Sequence, residues 1–284
     1  MLQSRTAGIL LFLLLAAAGA ASAQETPATP DVSTLNFGSS IDPTPDWIIT
    51  LGVGTEFGPS YDGAKRMGWS FMPSDFSIRR AGEPEGFSAP DDGFDYTLFE
   101  AGSFAFGPVA NYRSGRYRSD DYRLTGLHDI VPTLDAGAFA EYWIVPDRLR
   151  TRIEVRQALR VSEGLVADLS ADWVQPYGAF TASLGPRLSL GNGAFMRTSY
   201  GVTNQEALAS PYVGAFRASS GVKSFGAMAA LSYKFSPSWS GTVYDGFQRL
   251  VGDAATSPIT STIGSRNQNT VGLSLSYSFG VKFR

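Results

Sequence analysis

The end of the chain alternates strictly between two kinds of side chain. From Val271 to Phe283 every odd position is apolar, whereas the even positions carry Gly, Ser or Lys. A period of two over this length predicts a β-strand whose two faces meet different surroundings. The apolar face contacts either a protein core or lipid, and the remainder of the sequence has to distinguish these two cases.

Segments with the same alternation recur along most of the chain. The length of each is close to the ~9–11 residues with which a tilted strand crosses a bilayer. We predict about twelve strands, at residues 47–57, 69–80, 94–100, 103–113, 133–144, 149–161, 165–174, 179–190, 193–203, 221–235, 238–251 and 269–283. Three of the connections between them are long, namely 114–132, 204–220 and 252–268.

The composition of the polar faces favours a membrane barrel over a soluble sheet protein. A soluble sandwich buries its apolar faces, and its outward faces are usually rich in Lys and Glu. Here the non-apolar faces carry Gly, Ser and opposed charges, which fit a narrow barrel interior. The chain has 31 Gly, 13% aromatic residues and no Cys, so no disulfide holds it together. We therefore predict an all-β fold, a transmembrane antiparallel up-and-down β-barrel of about twelve strands; a soluble periplasmic β-protein is the alternative.

The N-terminal residues predict export. Arg5 precedes an apolar run, and Ala21-Ser22-Ala23 has the small-x-small pattern of a cleavage site. We predict a secretory signal peptide at 1–23, a flexible, Pro-containing periplasmic lead-in at 24–46 and an outer-membrane barrel at 47–284. The apolar run is shorter than the ~20 residues of a membrane helix, so a membrane-embedded mature chain has to cross as a closed barrel.

One predicted strand carries a ladder of charges. Along residues 149–161, apolar side chains alternate with charged ones. A hairpin turn at Pro146-Asp147 places Glu141 opposite Arg152 on the interior face. A second turn near 162–164 brings two acids towards the last two arginines of the ladder: Asp168 and Asp172 towards Arg156 and Arg160.

These residues predict a charge network in the lumen. Its members are Glu141, Arg150, Arg152, Glu154, Arg156, Arg160, Asp168 and Asp172. When Asp135 is counted with them, the positive and negative charges nearly balance. A selective channel would show one dominant sign, so the pattern favours ion pairs that fill and rigidify the lumen.

Residues that carry chemistry are sparse elsewhere. His128 is the only histidine, and Asp129 lies beside it. A lipid hydrolase needs a nucleophile next to such a base, but His128 falls in a long connection without a recognisable nucleophile motif, and we interpret it as a loop residue. The acidic stretches Ser119–Asp121 and Pro90–Gly93 are interpreted as surface turns. We predict no catalytic residue, no cofactor, no metal site and, at a net charge of −3, no nucleic-acid partner.

Five segments in order along the chain carry a family likeness. They are "LGVGTEFGPSYDGAKR", "NYRSGRYRSDDYRLTGLHDIVPTLDAGAF", "YGVTNQEALASPYVGAFRASSGVKS", "WSGTVYDGFQRLVGDAATSPIT" and the terminal strand. Together they resemble the MltA-interacting protein / OmpV (MipA/OmpV) family. The resemblance implies an outer-membrane β-barrel associated with murein metabolism, with a murein lytic transglycosylase and a murein synthase as partners.

The sequence thus favours a barrel that contacts outer-membrane lipids and acts as a non-enzymatic scaffold or structural envelope component. A narrow porin for small solutes is the first alternative, and an outer-membrane lipid hydrolase is the second. Barrel termini usually face the periplasm, where turns are short. Counting twelve strands back from the end places the long loop 114–132 in the periplasm, opposite to 204–220 and 252–268. Either one strand is miscounted, or this loop is a docking element.

Overall fold

The computed structural model describes residues 45–160 and 163–282. The predicted signal peptide at 1–23 lies outside the described residues, as does all of the predicted lead-in except residues 45 and 46. Both segments therefore stay predictions.

Twelve strands make up most of the described chain. They are β1 (Trp47–Pro59), β2 (Met67–Arg80), β3 (Phe94–Asp95), β4 (Phe99–Ala101), β5 (Phe104–Arg113), β6 (Thr133–Val145), β7 (Leu149–Ala158), β8 (Leu165–Tyr177), β9 (Phe180–Gly191), β10 (Gly221–Lys234), β11 (Trp239–Leu250) and β12 (Asn267–Val281). The helices are short: α1 (Gly193–Tyr200), α2 (Asn204–Ala209) and α3 (Gly252–Thr256), with a 3-10 turn at Tyr122–Leu124 and a π-helical turn at Ile259–Ile263. Among the described residues, no helix has the length and apolar character needed to cross a membrane.

The strands form one antiparallel sheet that curls into a nearly closed barrel. Its order is β2-β1-β12-β11-β10-β9-β8-β7-β6-β5-β3, and β4 also pairs with β5. β12 pairs with β1 from Phe57 opposite Val271 to Trp47 opposite Val281. Because β3 and β4 share one position beside β5, β2 and β3 run in the same direction, and a seam without a ladder separates them in the described chain. The predicted all-β antiparallel barrel is confirmed.

One predicted strand is wrong, because residues 193–203 contain α1. The Asn192 side chain caps this helix by accepting a hydrogen bond from the backbone N–H of Phe195 at 2.9 Å. Phe195, Met196 and Tyr200 lie on one helical face and are buried in a cluster with α3. The alternation over these few residues is compatible with a strand or a helix. The Asn192 cap and the burial of one helical face stabilise the helix.

The loss of that strand changes which end of the barrel each loop occupies. Leu124 and Leu127 pack with Val202 and Ile263 in one buried cluster. The three long loops therefore lie together, and the predicted placement of 114–132 at the opposite end is wrong. We call this the loop end. The opposite end, with turns at 102–103, 146–148, 178–179 and 235–238, is the turn end.

The outward face of the sheet is apolar. Phe71 of β2, for example, is 84% exposed. At the turn end, aromatic rings pair on this outer face: Trp239 lies 4.7 Å from Tyr277, and Phe180 lies 4.5 Å from Tyr233, between ring centroids. An apolar band edged by aromatic residues is typical of the exterior of a membrane barrel.

The lumen has two unlike halves. The inward faces of β1, β2 and β10–β12 carry mainly Gly, Ser and Thr, and we call them the hydroxyl half. Their hydroxyls bond to one another across strands, as Thr50 does with Ser278 and Ser232 with Thr242, each at 2.8 Å. The inward faces of β6–β8 carry most of the lumen's Arg, Asp and Glu, and β9 adds Arg187. We call the inward faces of β6–β9 the charged half.

Candidate functional site in the charged half of the lumen

Most of the predicted charged residues lie on the lumen face of β6, β7 and β8. Alternation puts the buried residues of β7 on one side, and its apolar side chains on the other. The strand register places Glu141 opposite Arg152 and Arg150 opposite Asp172. It also places two acids opposite each other, Glu154 and Asp168, and Arg156 pairs with both. Opposed residues of an antiparallel pair are close enough to bond directly.

Sequence reasoning missed the segment that connects β2 to β3. Residues 81–93, here called the inward segment, fold into the lumen. Asp92 accepts hydrogen bonds from Arg150, at 2.6 Å between Nη1 and Oδ2 and 3.1 Å between Nη2 and Oδ1. The backbone N–H of Gly93 donates to Glu154 Oε1 at 3.1 Å. The interpretation of Pro90–Gly93 as a surface turn is wrong, because Asp92 is a partner of the buried Arg150 and Asp91 pairs with Arg187 on the lumen face of β9.

The inward segment reaches the wall that faces the seam. Arg187 of β9 donates to both carboxylate oxygens of Asp91, at 2.6 Å from Nε and 2.9 Å from Nη2. Lys234 of β10 donates to Glu85 at 2.5 Å. In the strand order, β9 and β10 stand midway between the two edges of the sheet, and the inward segment joins those edges. It therefore crosses the lumen.

Shared partners join these pairs into one network. Asp172 accepts from Arg150 at 2.7 Å and pairs with Arg187 at 2.8 Å. Arg152 pairs with Asp95 of β3 at 2.5 Å. Because each guanidinium contacts more than one carboxylate, the network ties the inward segment to β7, β8 and β9.

The centre of the network is dry. Arg150 is 0% and Asp172 is 1% exposed. The Arg150 guanidinium lies 4.7 Å from the ring centroid of Phe87 in the inward segment, and that of Arg152 lies 4.1 Å from Phe139. Breaking a buried ion pair by removing one partner costs about 3–5 kcal/mol, and here the remaining carboxylates compensate the buried guanidinium only in part.

The structure brings together seven of the eight predicted residues: Glu141, Arg150, Arg152, Glu154, Arg156, Asp168 and Asp172. Arg160 is not among them. Strand β7 ends at Ala158, and the Arg160 side chain is 53% exposed and pairs with Glu163 at 3.4 Å. The predicted approach of Asp172 to Arg160 is wrong, since the strand register puts Asp172 at the other end of β7. The function of the network stays a prediction.

The missed residues change the charge balance. The described network holds four guanidinium groups, those of Arg150, Arg152, Arg156 and Arg187. It holds seven carboxylates, those of Asp91, Asp92, Asp95, Glu141, Glu154, Asp168 and Asp172. Counted as formal charges, the network is therefore net negative. The strands alone carry four guanidinium groups and five carboxylates, which is close to balance, so their pattern did not indicate the further acids of the inward segment.

His128 anchors a loop. Its backbone N–H donates to Glu206 Oε1 at 2.9 Å, and its ring Nδ1 also bonds to Glu206. Thr203 completes a capping box with Glu206 at the start of α2. Burial by itself raises the pKa of Glu206, but the hydrogen bonds from His128 and Thr203 lower it to about 2. Asp129 pairs with Arg118 instead of His128.

The residues around His128 do not form a nucleophile–base pair or a group of metal ligands in the described chain. In the described chain, the hydrogen bonds of His128 go to Glu206, and Thr203 donates its hydroxyl to Glu206 rather than to the histidine. Across residues 45–160 and 163–282, no group of three or more His, Asp or Glu side chains is arranged to hold a metal ion.

Solved structures that match the chain include outer-membrane proteins. An outer-membrane channel from Pseudomonas putida F1 is 13% identical, with 85% of this chain and 98% of that chain covered and a TM-score of 0.41. The N-terminal β-barrel domain of Pseudomonas aeruginosa OprF is 12% identical, with 61% and 97% covered and a TM-score of 0.29. An outer-membrane protein of Vibrio cholerae, OmpT with a loop deleted, is 8% identical, with 83% and 99% covered and a TM-score of 0.32.

Sequence comparison gives the family. No curated protein matches the chain. The sequence pattern of the family described as MltA-interacting protein MipA matches residues 51–279. This range runs from the first strand of the barrel to the last and includes every residue of the charged network. The chain therefore belongs to the MltA-interacting protein MipA family.

Proposed function

We propose that this chain is an outer-membrane barrel with a filled lumen, and that it serves the cell envelope as a scaffold or structural component without catalysing a reaction. In this proposal the predicted signal peptide at 1–23 directs export and is cleaved. The apolar outer face with its paired aromatic rings supports a place among outer-membrane lipids.

The observation that carries the proposal is the inward segment. Its Asp91 and Asp92 bind Arg187 and Arg150, which project from β9 and β7. An open pore needs a continuous hydrated path, whereas here ion pairs cross the lumen, and the Arg150–Asp92 pair among them is buried. Such pairs are costly to break one at a time, so they hold the segment in place and stiffen the wall.

The family name supports a murein lytic transglycosylase as a partner, and a murein synthase is the second partner proposed. The turn end is the surface we assign to them. The N-terminal end of β1 and the C-terminal end of β12 lie at the turn end, since Trp47 stands opposite Val281. Barrel termini and short turns normally face the periplasm, where murein lies.

Single cysteines test this orientation, because the chain has none of its own. Asp147→Cys places a thiol in an exposed turn at the turn end, and Leu208→Cys places one at the loop end, where Leu208 is 91% exposed. A membrane-impermeant maleimide added to intact cells should label the Leu208→Cys protein and spare the Asp147→Cys protein until the cells are lysed. Labelling of Asp147→Cys on intact cells would contradict the assigned surface.

Binding and conductance test the role itself. The purified full chain in lipid nanodiscs should bind a purified MltA-type lytic transglycosylase, and modification of Asp147→Cys with a bulky maleimide should weaken binding more than the same modification of Leu208→Cys. In planar bilayers the unmodified protein should give only small currents. Absence of binding together with large, stable channels would overturn the scaffold proposal.

A narrow porin is the second candidate, and the hydroxyl half favours it. Gly, Ser and Thr side chains leave room on that side, and several of them bond to one another rather than to the inward segment. A path along this half would run beside the acid-rich network and conduct cations in preference to anions. Reversal potentials in a salt gradient distinguish such a path from an unselective leak.

A further inference from the structure

A cavity lies where the loops of the loop end meet the adjacent part of the charged half. Its volume is about 230 Å³, and both strand residues and loop residues line it. A cavity of about 150 Å³ holds a benzene molecule. The space therefore accommodates a ligand of the size of an amino acid.

Most charges around this cavity cancel in pairs. Four basic and four acidic side chains line it. Three ion pairs join six of them: Arg113 with Asp135 at 2.5 Å, Lys223 with Asp62 at 3.3 Å, and Arg156 with Asp168. The remaining two are Arg116 and Glu163.

Arg116 is a buried cation without a carboxylate partner among the described residues. It is 3% exposed, and its Nη1 donates to the backbone carbonyl of Ser199 at 2.7 Å. Its Nη2 is buried and has no hydrogen-bond partner in the described chain. Burial lowers its pKa, and no ion pair offsets the lost hydration. A ligand that supplies a carboxylate here restores what burial removed.

Unused acceptors lie on the rim of the same cavity. Glu163 is 8% exposed, and its Oε1 faces Arg160 at 3.4 Å. Its Oε2 has no hydrogen-bond partner in the part of the chain that the structure describes, and the same holds for Oδ1 of Asp135. Buried carboxylate oxygens without a hydrogen-bond partner are stabilised by a donor, and a cationic donor forms the strongest hydrogen bond to them.

We propose that this cavity binds a small zwitterion, of the class of a free amino acid, with its carboxylate on Arg116 and its ammonium on Glu163 and Asp135. A simple anion satisfies Arg116 but leaves the acceptors without a donor. A simple cation satisfies the acceptors but leaves Arg116 unpaired. The proposal is independent of the scaffold role, since it concerns the loop end and not the turn end.

Three matched probes test the ligand class on the purified full chain in detergent. Alanine carries both charges, propionate lacks the ammonium group, and ethylamine lacks the carboxylate. Isothermal titration calorimetry should show alanine binding about tenfold or more tightly than either analogue, because each charge-assisted hydrogen bond contributes to affinity. Propionate binding as tightly as alanine would reduce the cavity to an anion site, and absence of saturable binding by all three would also overturn the proposal.

Variants assign the two ends of the ligand. Glu163→Gln keeps the shape of the side chain and should lower alanine affinity to that of propionate. Arg116→Gln should abolish binding of both, whereas Arg118→Gln, in the same loop but paired outside the cavity with Asp129, should leave it unchanged. If Arg116→Gln does not fold, the Glu163→Gln protein and the three probes still decide. Unchanged alanine affinity in a folded Glu163→Gln protein would refute the assignment.

Discussion

The two halves of the lumen solve the same packing problem with different chemistry. In the hydroxyl half, small side chains let neighbouring groups approach, as Gly272 makes room for the ring of Tyr244. In the charged half, long arginine side chains fill the space, and acids from four strands and the inward segment neutralise them. One half is held by fit and the other by charge pairing.

The difference predicts opposite sensitivities. The hydroxyl half tolerates the loss of atoms, because a neutral hydroxyl bond contributes only about 0.5–1.5 kcal/mol. It does not tolerate larger side chains at its glycine positions, because neighbouring groups already occupy that space. The charged half is the reverse, because a removed carboxylate takes an ion-pair partner from a buried guanidinium, whose charge is then incompletely compensated. The comparison is therefore testable by substitutions that add or remove atoms in each half.

Asp92→Ala should have the largest effect. It removes both hydrogen bonds that tie Arg150 to the inward segment, and the free energy of unfolding should fall by about 3–5 kcal/mol. Urea unfolding in detergent micelles, followed by heat-modifiable migration on gels, measures the change. The same variant should raise single-channel conductance. An unchanged unfolding midpoint would show that the two halves do not differ in the way described.

Glu206→Gln tests the hydrogen bonds by which Glu206 joins the loops 204–220 and 114–132 at the loop end, here called the clasp. It removes the charge that accepts from His128 and Thr203, at a cost of about 1.5–3 kcal/mol. In the unmodified protein the pKa of Glu206 is lowered from 4.5 to about 2. Its contribution is therefore complete above pH 4.5 and declines as the pH falls towards 2.

Hydrogen exchange of residues 114–132 measures how far this loop loses protection when the hydrogen bonds of Glu206 are lost. In the unmodified protein the protection factor of these amides, which is the intrinsic exchange rate divided by the observed rate, should be high at neutral pH and fall as the pH drops from 4.5 towards 2. In the Glu206→Gln protein the protection factor should be low throughout. Equal protection in both proteins at neutral pH would exclude the clasp.

Gly272→Ala tests the claim that the hydroxyl half depends on fit. A Cβ at this position would lie 2.1 Å from Cζ of Tyr244, and overpacking of this kind costs about 1–3 kcal/mol. Adding Tyr244→Ala should recover part of the loss. A double-mutant cycle in urea gives the coupling, and additive effects would mean that the two side chains do not compete for space.

Asp245→Leu examines the outer face behind the hydroxyl half. Asp245 pairs with Val271 of β12 on the outward face, and its Oδ1 is buried without a hydrogen-bond partner in the described residues. A lipid-facing Arg or Lys destabilises a membrane barrel by ~2–4 kcal/mol, and a lipid-facing Asp destabilises it by less. Replacing Asp245 with an apolar residue removes this penalty, so the free energy of unfolding should rise by about 1 kcal/mol. Denaturant unfolding in lipid vesicles measures it, and a loss of stability would mean that this face does not contact lipid.

Ser232→Ala should have the smallest effect. It removes the 2.8 Å hydroxyl bond to Thr242 and should cost at most about 1 kcal/mol. Measured beside Asp92→Ala under the same conditions, it sets the lower end of the comparison. A loss as large as that of Asp92→Ala would erase the distinction between the halves.

Much of the barrel was predictable because strand patterning is local. Alternation at Val271–Val281 and along β7 reports a two-sided environment, and cross-strand register follows from short turns. That is how Glu141 opposite Arg152 was predicted. The helix at 193–200 was not, because a few alternating residues do not distinguish a strand from a capped helix whose buried face depends on distant loops.

By itself, the sequence determined the all-β barrel, its apolar exterior and the family, because these depend on the period of the chain and on local motifs. Only the tertiary structure decided which end each loop occupies and which acids neutralise the lumen arginines. Asp92 stands 58 residues before Arg150, and Arg116 meets Ser199 across 83 residues. Contacts of this separation depend on how the sheet closes, and no local pattern encodes that closure.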